Sequence, residues 1–72
     1  MNEKNLIEIT DRYGFIFLIC INSILWVQTI TDDKGYELQI IIRFENDLWI
    51  EISCKDKDHF KKTYDKIKHA LN

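Results

Sequence analysis

A chain of 72 residues with 46% hydrophobic side chains, no proline and two glycines leaves no room for a flexible linker and excludes an intrinsically disordered protein, so one small unit is expected. A domain of this size buries only about 60% of the surface its unfolded chain exposes, a thin margin that oligomerisation would widen. The net charge of −2 hides a division, with six lysines against three aspartates from Lys55 onward and four bases against nine acids before it, and it lacks the strongly basic balance of a typical nucleic-acid binder.

Residues 1–5 are polar and expected to fray. Residues 6–11 read as a first strand with Ile7 and Ile9 facing inward. Asp11, Arg12, Tyr13 and Gly14 make a turn in which Gly14 suits a left-handed position, setting Ile9 opposite Phe17 and Ile7 opposite Ile19. Residues 15–21 form a second strand that is apolar on both faces and so needs cover twice over. Either Tyr13 or the amino terminus crosses it as a buried central strand, or its outer residues, Ile16 and Leu18, meet another subunit. Even extended to Val27, this run falls short of the roughly 18 residues of a membrane helix. Mixed charges precede it and no small-residue cleavage site follows, which argues against a signal peptide and makes the cytoplasm the expected location.

Residues 24–31 resume as a third strand whose apolar positions Ile24, Val27 and Ile30 break the period of two. A bulge near Leu25 and Trp26 would return Ile24 and Val27 to one face. After a polar turn, residues 36–44 and 48–54 alternate strictly, and a loop of Glu45, Asn46 and Asp47 sets Phe44 opposite Leu48, Ile42 opposite Ile50 and Ile40 opposite Ile52. A one-residue slip would send one strand's core face outward, so the apolar pattern selects this register. On the other face Arg43 stands opposite Trp49 and Ile41 opposite Glu51, an arrangement suited to a cation–π contact. These residues either cover one another in solvent or present a surface to a partner.

The tail, residues 56–71, changes period: Phe60, Tyr64, Ile67 and Leu71 recur at helical spacing, with Asp56 placed to cap the first amides. The apolar stripe is expected on the sheet face of Ile40, Ile42, Ile50 and Ile52. His59 and His69 stand almost three turns apart and cannot share a metal, and Cys54 has no reason to meet His59 as a nucleophile meets its base. With no phosphate loop or paired-cysteine pattern either, no catalytic residue, metal or cofactor is expected. Cys20 and Cys54 are expected to be reduced, because a meander would hold their strands about 14 Å apart. A basic surface of Lys57, Lys61, Lys62 and Lys68 is the candidate if nucleic acid is the partner.

The run Ile19-Cys20-Ile21-Asn22-Ser23-Ile24-Leu25-Trp26-Val27 follows a strand, a glycine-containing turn and a strand, and precedes a hairpin and an acidic-capped helix. This layout resembles the small FlbD-type flagellar accessory proteins, and several short phage and mobile-element proteins are similar to it. Taken together, the expected fold is α+β: a five-stranded antiparallel meander with one carboxy-terminal helix on one face. The expected role is a non-enzymatic binding or regulatory protein, a homodimer or one half of a protein complex. Its partner or oligomer surface is Ile16, Leu18, Ile41, Arg43, Trp49 and Glu51 on the open face. The alternatives are a phage- or mobile-element-encoded inhibitor of a host defence system and a nucleic-acid adaptor.

Overall fold

The computed structural model describes residues 5–32, 34 and 37–72. The expected fraying at residues 1–4, and the parts of the third turn and fourth strand assigned to Asp33, Gly35 and Tyr36, lie outside the described residues. In chain order the elements are β1 (Leu6–Thr10), β2 (Ile16–Cys20), a short 3-10 turn (Ile21–Ser23), β3 (Ile24–Thr31), β4 (Leu38–Phe44), β5 (Trp49–Ser53) and α1 (Lys57–Leu71). All strand pairs are antiparallel, and the fold is α+β.

The single five-stranded meander does not form: the strands divide into a two-stranded sheet, β1-β2, and a three-stranded sheet, β3-β4-β5. The division falls at Ile21–Ser23. A tight two- or three-residue hairpin loop there would need a residue of positive φ, and among the described residues that conformation occurs at Gly14 and Asp47 alone. The connector's backbone bonds elsewhere: the Ile21 N–H donates to the Asn5 carbonyl at 2.7 Å, and the Ser23 carbonyl accepts from the Glu45 N–H at 3.0 Å. The chain therefore passes from β2 to β3 through the 3-10 turn instead of folding back into a hairpin.

The two hairpins share one loop geometry. In the first, the Asp11 N–H donates to the Phe15 carbonyl at 3.0 Å and the Gly14 N–H to the Asp11 carbonyl at 3.2 Å, with Gly14 at φ 89°. In the second, Phe44 N–H donates to Leu48 O at 2.8 Å and Asp47 N–H to Phe44 O at 3.2 Å, with Asp47 at φ 69°. The buried Asp11 carboxylate accepts from the Tyr13 and Phe15 N–H groups at 2.9 and 3.0 Å, which compensates its removal from water. A Cβ on Gly14 would meet nothing within 4 Å, so Gly14→Ala carries a purely conformational penalty. Urea denaturation should show a loss of about 1 to 2 kcal/mol; an unchanged midpoint would mean that the loop does not hold Gly14 in this conformation.

The registers follow the apolar pattern. Ile7 pairs with Ile19 and Ile9 with Phe17; Ile42 pairs with Ile50 and Ile40 with Ile52. The bulge in β3 lies between Ile24 and Trp26, leaving Leu25 extra, and it returns both Ile24 and Val27 to the core side. One core serves both sheets: Ile9 and Ile19 from the first, Leu38, Ile40, Ile42, Ile52 and Cys54 from the second, and Ile67 from the helix.

The helix begins where the Asp56 side chain accepts from the His59 N–H at 2.8 Å, and it covers the faces of both β4 and β1. Several expected positions are corrected. Leu71, in the last turn of the helix, and Leu48, in the hairpin loop just before β5, are exposed, because no described element lies over them. Phe60 and Tyr64 are half-buried and Tyr13 is exposed, so Tyr13 does not cover β2. No helix among the described residues is long and apolar enough to cross a membrane.

Both cysteines are free, Cys20 exposed and Cys54 buried. Burial first, then the negative charges of Asp11 and Asp56, push the Cys54 thiol above its ordinary value. A thiol reagent at neutral pH should therefore modify Cys20 in the native protein and Cys54 only after unfolding. Equal native rates at the two positions would contradict the placement of Cys54.

Candidate interaction face

Two features of this fold decide which surfaces are open: how its edges end, and what lies on the sheet faces turned away from the core.

The outer edge of β1 is partly occupied. Because Asn5 and Asp11 bond toward β2, alternation points the backbone groups of Glu8, Thr10 and Arg12 the other way. Lys66 Nζ donates to the Glu8 carbonyl at 2.7 Å, His59 Nε2 bonds the Thr10 carbonyl at 3.0 Å, and the Arg12 N–H donates to the Ser53 carbonyl at 2.8 Å. Since His59 Nδ1 accepts from the Lys55 N–H at 3.0 Å, Nε2 is the donor. Helix side chains thus occupy edge groups that would otherwise invite another strand. Helical spacing placed His59 on the surface, and only the partnering of β1 with the helix reveals this role.

On the outer face of β3-β4-β5, register sets two rows side by side. Trp26, Arg43 and Trp49 form one row across the three strands; Gln28, Ile41 and Glu51 form the next. Trp26 and Trp49 are 44% and 56% exposed, a large aromatic area for a solvated face. The Arg43 guanidinium carbon lies 5.8 Å from the centroid of the Trp49 ring, as the opposed pair predicts, a contact worth about 0.5 to 1 kcal/mol. One guanidinium nitrogen of Arg43 donates to Asp47 Oδ1 at 2.9 Å, but Nε is buried with no acceptor. An orphaned donor of this kind costs free energy in the isolated chain. Asp47 is itself 90% exposed, so its bond to Arg43 is weakly held.

Of the six expected interface residues, Ile41, Arg43, Trp49 and Glu51 form one contiguous cell on this face. Ile16 and Leu18 belong to the other sheet, where with Leu6 they make an exposed apolar surface outside β1-β2. The expected single surface is therefore two. Trp26 joins the first of them, and it escaped the sequence pattern because the bulge in β3 decides which way it points.

The helix lysines are largely engaged. Lys61 pairs with Asp65 at 3.4 Å and Lys62 with Asp58 at 3.2 Å, each one turn away, and Lys68 Nζ sits 5.0 Å from the centroid of the Tyr64 ring. Lys57 is exposed in the first turn and His69 in the last. Among the described residues no group of three or more histidine, cysteine or acidic side chains is placed to hold a metal ion. No family model matches the chain, and neither the curated proteins nor the solved structures provide a match.

Proposed function

We propose that this protein is a non-enzymatic interaction module, and that its contact surface is the outer face of β3-β4-β5. The observation that carries the reading is the Trp26–Arg43–Trp49 row: two half-exposed indoles beside a guanidinium whose one hydrogen bond goes to an exposed carboxylate. Tryptophan and arginine are the side chains most enriched among residues that dominate binding energy, and here they stand side by side on one exposed face. The nucleic-acid reading draws no comparable support, since Asp58 and Asp65 stand one turn from Lys62 and Lys61 and lower the net positive field that a phosphate backbone would meet.

The test is photo-crosslinking in expressing cells, with a benzophenone amino acid at Gln28 or Trp49 on the face and at Lys61 on the helix as control. Adducts are expected from the two face positions and not from the control. Adducts from the helix alone, or from no position, would remove the reading.

A further inference from the structure

The partner that the face fits best is a second copy of the chain, and the geometry of four residues says why. Arg43 stands opposite Trp49 and Ile41 opposite Glu51, so these residues occupy the corners of one cell of the sheet. The charges, Arg43 and Glu51, lie on one diagonal; the apolar side chains, Ile41 and Trp49, lie on the other. Diagonal neighbours of this kind are about 7 to 8 Å apart. A two-fold axis laid along the apolar diagonal exchanges the two ends of the charged one. It therefore places Arg43 of each copy over Glu51 of the other, while Ile41 and Trp49 meet their own equivalents near the axis.

The bonding within one chain leaves both ends of this exchange open. Arg43 can offer five N–H donors and makes one hydrogen bond among the described residues, to Asp47. Glu51 is exposed and makes no hydrogen bond or ion pair with any described residue. The guanidinium, whose one bond is to the exposed Asp47, and the unpaired carboxylate thus sit within one cell, at positions that one symmetry operation matches twice. An unrelated partner would need to bring both charges with the inverse spacing; a second copy has them already.

Resting on the reading of this face as the contact surface, we infer that the chain forms a two-fold dimer held by reciprocal Arg43–Glu51 pairs flanking an Ile41–Trp49 centre. Charge reversal tests this with the purified full chain. Arg43→Glu and Glu51→Arg should each raise the dimer dissociation constant at least tenfold in sedimentation equilibrium. The double variant should return it to the starting value. An equimolar mixture of the two single variants, one labelled with nitrogen-15, should form a heterodimer in native mass spectrometry although neither variant dimerises well alone.

The Glu51 side chain makes no hydrogen bond or ion pair with a described residue, so Glu51→Arg is the safer variant for the fold, with Glu51→Gln expected to fall between it and the unmodified chain. Circular dichroism confirms folding in each case. A dimer indifferent to both reversals, or a mixture that fails to recover, would overturn the reciprocal pairing while leaving the contact face to the crosslinks. A chain monomeric at hundreds of micromolar would overturn the dimer; face crosslinks to a different protein would then still uphold the interaction module.

Discussion

Ile67→Ala should destabilise the protein by about 2 to 5 kcal/mol, the usual result of emptying a fully buried aliphatic site. Ile67 has no exposed surface and packs in one cluster with Ile40, Ile42 and Ile52, which are equally buried. A chain of this length has a total stability of roughly 4 to 11 kcal/mol, so the loss is a large share of it and can unfold the protein outright. Phe60→Ala should cost less, because Phe60 is half-buried at the edge of the cluster. Thermal denaturation followed by circular dichroism compares the two. An Ile67→Ala midpoint equal to that of the unmodified chain would show that the helix does not lie on the sheet.

Trp49→Glu should weaken association by at least about 2 kcal/mol, or roughly thirtyfold in the dissociation constant, while leaving the fold intact. Trp49 is more than half exposed and its ring contact is to Arg43, so the isolated chain loses little when the indole is removed. In the proposed dimer the same position would lie near the two-fold axis, where a new carboxylate would face its own equivalent in a desolvated centre. Leu18→Glu, on the outer face of the other sheet, should have a smaller effect on the same equilibrium. Sedimentation of the two variants decides between the surfaces: a dimer lost with Leu18→Glu and kept with Trp49→Glu would move the contact to β1-β2.

The local structure was legible wherever a period of two coincided with a turn that could close. Ile40, Ile42, Ile50 and Ile52 specify their own register, because any slip exposes half of them, and the same logic paired Ile9 with Phe17. Gly14 and the bulge near Leu25 were legible for the same reason, each being the residue that reconciles its neighbours with one apolar face. What could not be read was how the pieces meet. Phe15 to Ile21 is apolar on both faces, so its pattern is compatible with pairing on either side, and it does not say that the sheet ends at Ile21–Ser23.

The site was legible to the same depth. Arg43 opposite Trp49 and Ile41 opposite Glu51 follow from hairpin register alone, whereas uniting them with Ile16 and Leu18 required the two sheets to be one. His59 and Lys66 illustrate the other limit. Their bonds to Thr10 and Glu8 span 49 and 58 residues of sequence, and no local period carries that information.

A concentration series of nitrogen-15 correlation spectra tests the proposed dimer face most directly, because each indole N–H reports from the surface in question. On dilution from millimolar to micromolar, the account predicts that the indole signals of Trp26 and Trp49 and the amide of Ile41 shift together along one binding curve, while the amides of Lys61 and Lys62 stay fixed. Stationary indoles across that range, or shifts confined to the helix, would contradict it.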